Sequence, residues 1–176
     1  MLELIEAGPA RLRAGRLLCV DGPAGSGKST LAERVAHQHP AAQIVHLDDL
    51  LGGWSGQLES AVAALVRDVL TPLAEGRLAW YRRYDWYADE FAEWVPVPPG
   101  DLLIVEGVAA GARPVARFAA AVVWVEAPAG VRRERGLARD GDVFAPHWDS
   151  WARRETAHFA AERTRSRADL VVDTGA

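Results

Sequence analysis

Gly22-Pro23-Ala24-Gly25-Ser26-Gly27-Lys28-Ser29, followed by Thr30, is the stretch on which the fold of this chain turns. It matches the pattern G-x-x-x-x-G-K-[ST], in which the positions have separate chemical tasks. Gly22, Gly25 and Gly27 permit positive φ and a close approach, so that the backbone from Gly22 to Thr30, with Ala24 and Ser26, wraps its N–H groups around phosphate oxygens. Lys28 reaches the β/γ-phosphates as a slim point charge, and the Ser29 hydroxyl ligates a divalent cation. Lys28 is also the only lysine among the 20 Lys and Arg residues of the chain. Every other cation is an arginine, whose planar fork does not suit such a loop. The stretch reads as a nucleoside-triphosphate site, with ATP and Mg²⁺ as the expected cofactors.

Its flanks agree. Arg16-Leu17-Leu18-Cys19-Val20-Asp21 is a short apolar run of buried-strand type, and Ser29 to His37 has helical spacing with Leu31, Ala32 and Val35 on one side. Strand, glycine loop and helix follow in the order that aims a helix N-terminus at the phosphates. Further out, the pattern predicts strands at 16–21, 43–47, 101–105, 121–125 and 169–172. It predicts helices near 28–38, 57–74, 128–139 and 148–165, and a short one near 113–119. Near-continuous Val/Ile/Leu strands alternating with helices imply a parallel sheet covered on both faces. The expected fold is α/β, of the three-layer P-loop NTPase type, as a single domain over 1–176. A substrate-side insertion is expected at about 52–98 and an arginine-rich lid at about 132–146. Within the insertion, 76–100 breaks the alternation with Trp80, Tyr81, Tyr84, Trp86, Tyr87, Phe91 and Trp94, and reads as a pocket wall.

Composition narrows the function classes. The chain has 176 residues, 49% of them hydrophobic, and no apolar run reaches the roughly 20 residues of a membrane span. Met1 to Glu6 lacks the basic start and apolar stretch of a signal peptide. Cys19 is the sole cysteine and lies mid-strand, as a small core residue, so a reducing cytoplasm is the expected compartment. A net charge of −4 argues against a general nucleic-acid binder. The sequence contains no asparagine, which removes the Asn-Lys-x-Asp base reader of a GTPase switch. The expected partner is a small-molecule hydroxyl acceptor, without nucleic acid or membrane; a homo-oligomer is compatible with the pattern.

In open parallel sheets ligands lie beyond the carboxyl ends of the strands. Asp48 and Asp49 follow one predicted strand there, and Glu106 follows another. Carboxylates at such positions are costly unless solvated, paired or bound to a cation. Phosphoryl transfer needs a metal-side carboxylate and a base for the acceptor hydroxyl. One of the aspartates also reads as a cap of the next segment. Arg132, Arg135 and Arg139 share a helical stripe that could close over transferring phosphates; on charge pattern alone they read as a solvated face beside Glu134 and Asp140. Arg153-Arg154 and Arg163, Arg165 and Arg167 read as solvated helix surface.

With these residues in place the chain resembles a P-loop kinase of the uridine kinase group, whose relatives include phosphoribulokinase, pantothenate kinase and nicotinamide riboside kinase. The resemblance is carried by Asp21 to Thr30, Leu47-Asp48-Asp49-Leu50, Tyr84-Asp85-Trp86, Pro99 to Gly107, the arginine-rich lid and Arg167 to Val172. It implies that Asp48 is the general base and contributes on the metal side, that Glu106 holds Mg²⁺ through its shell, and that Arg132, Arg135 and Arg139 contact phosphates and adenine. Gly52-Gly53-Trp54-Ser55-Gly56 stands where the group has an aspartate for a ribose, and the histidine expected after Tyr84-Asp85 is missing. The loop also resembles cytidylate kinase, which makes a nucleoside monophosphate the second acceptor class. An ATP-binding regulatory protein without turnover is the third reading. The acceptor is expected between Asp48 and residues 80–94, near Asp49, with Asp85 taking its hydroxyls and Tyr84 or Trp86 covering its flat face. Arg82 and Arg83 would matter if that acceptor already carried a phosphate.

Overall fold

The computed structural model describes residues 1–175. A short helix absent from the sequence expectation, α1 (Leu2–Ala7), opens the chain and buries Ile5. Then come β1 (Arg16–Asp21), α2 (Lys28–Gln38), β2 (Gln43–His46) and a 3₁₀ turn over Leu47–Leu50. The expected helix at 57–74 is three pieces: α3 (Leu58–Ala64), a π-helical stretch Leu65–Leu70 and α4 (Thr71–Ala74), into which Pro72 fits at the start of a turn. Next are β3 (Ala79–Asp85) and β4 (Glu90–Val97), then β5 (Leu102–Glu106), α5 (Arg113–Ala116) and β6 (Ala121–Glu126). α6 (Ala129–Phe144) passes through a 3₁₀ turn, Ala145–His147, into α7 (Trp148–Glu162). Arg163, at φ 56°, separates α7 from α8 (Thr164–Arg167), and β7 (Leu170–Asp173) ends the order.

The five main strands pair in the order β2-β5-β1-β6-β7, all parallel. Their continuous apolar runs divide between two cores because successive side chains point to opposite faces. Leu17, Cys19, Leu103 and Val105 face Leu65, Leu70, Phe144, Trp148 and Trp151. Leu18, Val20, Leu102 and Ile104 face Ile5, Ala32 and Val35 of α1 and α2. The result is the three-layer α/β arrangement expected from the pattern. Burial pushes the Cys19 thiol well above the ordinary cysteine range, in keeping with a core residue. Among the described residues no helix is long and apolar enough to cross a membrane.

Asp21 ties β1 to the loop after β5. Fully buried, its carboxylate accepts hydrogen bonds from Gly22 N at 2.7 Å, Ala109 N at 2.9 Å and Gly111 N at 2.9 Å. The aromatic stretch, expected as a pocket wall and given no strand, is an antiparallel hairpin pairing Ala79 with Val97 and Asp85 with Glu90. Ala79 and Tyr81 are buried while Trp80 and Arg82 are exposed, a period-two alternation that shifts at the irregularity between Arg82 and Tyr84, so that Tyr84 is buried as well.

Candidate active site

Beyond the carboxyl ends of β1, β2 and β5 lies a cleft of about 490 Å³. One end is the glycine loop. Gly25 has φ +75°, and a Cβ there would stand 2.2 Å from the Arg132 carbonyl oxygen, so the loop can lie against α6 only with glycine at this position. No side chain caps the N-terminus of the 11-residue α2, which leaves its first-turn amides for an anion. Ser26 Oγ is buried and has no hydrogen-bond partner among the described residues. Lys28, 8% exposed, donates from Nζ to Pro23 O at 3.0 Å and so holds its charge against the loop. These features suit an oxyanion-rich group such as a polyphosphate. Ala24, Gly25, Lys28 and Ser29 line the cleft, whereas Gly22, Ser26 and Gly27 contribute to the loop behind them, and Thr30 is exposed.

Opposite the loop stand three carboxylates. Glu106 Oε1 accepts from Ser29 Oγ at 3.1 Å and meets His46 Nδ1 at 2.6 Å. Burial pushes the Glu106 carboxyl up, but the His46 bond, the Lys28 charge and Ser29 outweigh it, leaving the group below the usual range. His46 is raised in turn, chiefly by Glu106. The 3₁₀ turn after β2 presents Asp48 and Asp49 to the cleft. Asp48 keeps open surface toward the cleft although protein surrounds it. Desolvation by those walls raises its pKa, Glu106 adds to the rise, and Lys28 and Arg139 oppose it. Asp49 accepts from the Tyr81 hydroxyl at 3.2 Å and is also raised, first by desolvation. Among the described residues no cluster of three or more His, Cys, Asp or Glu forms a metal cage. The Ser29 hydroxyl, Glu106 and Asp48 form instead a hard, oxygen-only set, which fits a Mg²⁺ that takes its remaining ligands from phosphate and water.

The arginine stripe is corrected by the structure. Only Arg139 lines the cleft, and it is forked onto Asp140 at 2.9 and 2.7 Å. Arg132 turns behind the loop, donating to Ala24 O and to Glu155 Oε1, both at 3.1 Å. Arg135 reaches Thr174 Oγ1 at 2.9 Å and Thr174 O at 2.8 Å, away from the cleft. The spacing places all three on one helix, but Arg132 and Arg135 are held by partners outside the cleft. The sequence reading missed Glu155, which is 2% exposed and accepts from Ala24 N at 2.8 Å. With Arg132 it holds both polar groups of the Ala24 peptide. Only its place one residue beyond an arginine pair in a helix could have flagged it.

The hairpin residues expected to hold an acceptor divide in the same way. Trp86 lines the cleft with Tyr87, while Tyr84 packs edge-on against Trp86 at 5.5 Å and gives its hydroxyl to Asp89. Asp85 caps its own turn, accepting from Tyr87 N at 2.9 Å and Ala88 N at 3.1 Å, which lowers its pKa. Arg82 donates to the Phe91 and Ala92 carbonyls across the hairpin, and Arg83 forks onto Glu93. Neither guanidinium lines the cleft. The far wall comes from Trp54, Val143, Phe144 and Trp151, which sequence spacing had not gathered. Arg154, expected in solvent, is half-buried and donates to Trp54 O at 2.5 Å and to Gly56 O.

A family model described as an AAA domain matches residues 18–143. Among solved structures, the chain is similar to a possible uridine kinase from Bacillus stearothermophilus at 22% identity and TM-score 0.68, over 91% of this chain and 90% of that one. It is similar also to a candidate fructose transport system kinase from Silicibacter sp. at 22% identity and TM-score 0.69, over 97% and 95% of the two chains. At such identities the likeness speaks for the fold. A search among curated proteins gives no match.

Proposed function

The chain belongs to that AAA-domain family of nucleotide-binding P-loop proteins, and from this premise we propose that it transfers the γ-phosphoryl group of ATP to a hydroxyl of a small molecule. The observation that carries the reading is one cleft in which Lys28 and Ser29 face Glu106 and the open carboxylate of Asp48. The loop amides and Lys28 bind and orient the triphosphate. Asp48 takes the proton of the acceptor hydroxyl as its oxygen bonds to the γ-phosphorus and the bond to ADP breaks; the products are a phosphate ester and ADP. Desolvation and the neighbouring Glu106 raise the Asp48 carboxyl above the ordinary aspartate range, which strengthens it as a proton acceptor. Glu106, Ser29 and Asp48 would hold Mg²⁺, which when bound neutralises charge on the phosphate oxygens. Arg139 is the lid cation placed to add to that neutralisation.

The hairpin guanidiniums are engaged within the hairpin, which supports a hydroxyl acceptor over a nucleoside monophosphate. The test is ADP release from ATP and Mg²⁺ with nucleosides, nucleoside monophosphates, vitamins and sugars in turn. Release that depends on an unphosphorylated alcohol supports the reading. Release only with monophosphates, or no acceptor-dependent release with any of them, defeats it.

A further inference from the structure

The end of the cleft away from the glycine loop is walled by Trp54, Trp86, Tyr87, Val143, Phe144 and Trp151. Trp54 is the hub of this wall. Its ring lies 5.0 Å from Trp86 edge-on, 5.0 Å from Phe144 in a stack, and 6.3 Å from Trp151 edge-on. Arg154 braces it by holding the carbonyls of Trp54 and Gly56 while lying 5.1 Å over the Trp151 ring. The wall is therefore built, not a chance meeting of side chains. Its rim differs. Tyr87, on the hairpin turn, is fully exposed, and Val143, on α6, is 57% exposed, yet both line the cleft. Large apolar groups left open at the mouth of a pocket are contact surface for a ligand.

The polar groups lie elsewhere. Lys28, Ser29, His46, Asp48, Asp49 and Glu106 gather at the phosphate end. On the hairpin, Asp85, Tyr84, Arg82 and Arg83 are all hydrogen-bonded within the hairpin itself. A polyol seated on the wall would bury hydroxyls with few partners, which is costly. An anionic body would find Arg139 already paired with Asp140 and Arg154 already held by the Trp54 and Gly56 carbonyls. A flat ring gains by packing on aromatic faces and edges. Resting on the phosphotransfer reading above, we propose that the acceptor is an alcohol with a flat, apolar, non-anionic ring body, held by the Trp54-centred wall with its hydroxyl at Asp48. Trp54 and Tyr87 are the residues that set this specificity.

The experiment uses the full chain with ATP and Mg²⁺ and three probes: a hydroxymethylquinoline, fructose and uridine monophosphate. Transfer is followed by ADP release, and binding is measured separately by calorimetry with a non-hydrolysable ATP analogue. The quinoline alcohol is expected to exceed fructose at least about tenfold in kcat/KM, the scale of ~1.4 kcal/mol that aromatic packing can supply. Tyr87→Ala, at an exposed position where folding is not at stake, should raise KM for that alcohol several-fold, with Trp54→Ala raising it further and the loss falling more on KM than on kcat. Fructose equal to or better than the quinoline alcohol overturns the inference. So does tighter binding of uridine monophosphate, or a KM untouched by both variants. Quinoline binding that Tyr87→Ala weakens, without any transfer, upholds the acceptor subsite and defeats the kinase reading. Transfer to fructose without quinoline binding does the reverse. Neither binding nor transfer with the quinoline alcohol overturns the inference.

Discussion

At the proposed donor end of the cleft the chain presents mostly backbone: a glycine loop, an uncapped helix start and one lysine folded against a carbonyl. At the proposed acceptor end several separate segments each send in side chains, with Trp54 from the loop before α3, Trp86 and Tyr87 from the hairpin, and Phe144 and Trp151 from two further helices. A backbone-built site tolerates almost no change in path, because its ligand contacts are fixed by φ and ψ. A site built from side chains can be altered one residue at a time. The donor end should therefore be brittle and the acceptor end adjustable.

The harshest test of that contrast is Lys28→Ala. Losing the ammonium should cut turnover by about 10³-fold or more, the scale of losing a fixed charge at the transferring group, with the melting temperature nearly unchanged. Lys28→Arg should also be poor. Turnover close to wild type in either variant breaks the donor-end account. Asp48→Asn comes next, with a fall of about 10²-fold or more in kcat and little change in ATP affinity, as expected for a lost general base. Asp49→Asn should do less, since Asp49 is already engaged by Tyr81. The reverse ranking would transfer the base to Asp49.

Glu155→Ala probes the brace behind the loop. It strips the Ala24 amide and Arg132 of their shared carboxylate and should cost about 3 kcal/mol of stability, the scale of breaking a buried pair, read by chemical denaturation. A smaller and more informative effect is in pH. As the proposed base Asp48 would have to be deprotonated, and its pKa is raised, so activity should fall off on acidification at a higher pH than an ordinary aspartate would give. Arg139 opposes that rise, and Arg139→Ala should move the acid limb further upward. A limb that moves downward contradicts the electrostatic assignment. The smallest effect is expected on the outer face of the hairpin. Arg82→Ala should change stability by no more than about 0.5 kcal/mol, as for an ordinary surface position, and leave acceptor KM alone.

The same contrast explains what was legible in the amino-acid order. The donor end lies in one contiguous motif, so Gly22 to Ser29 and the strand and helix around it could be placed to within a residue or so. Asp48, Asp49 and Glu106 were legible because strand ends converge by topology. The acceptor wall was not, because Trp54 lies 90 residues before Phe144 and 97 before Trp151 and meets them only through packing. The arginines failed for a related reason. A stripe on a helix states which residues share a face, but Arg132 and Arg135 were claimed by Glu155 and Thr174, partners far along the chain. Tyr81 and Tyr84 show the limit on strands, since the register shift between Arg82 and Tyr84 breaks the alternation that would have revealed the hairpin.

Cys19 gives the molecule a practical property. It is the sole thiol, fully buried in the central strand, with an ionisation pushed far from neutrality. Maleimide chemistry on the folded protein should pass it by, because the thiolate is the reacting form. The natural chain thus serves as a cysteine-free background without further engineering. Tyr87→Cys and Val143→Cys would place a pair of dyes or spin labels on the two rims of the cleft, and the distance between them would report how far the rims approach when nucleotide and acceptor enter.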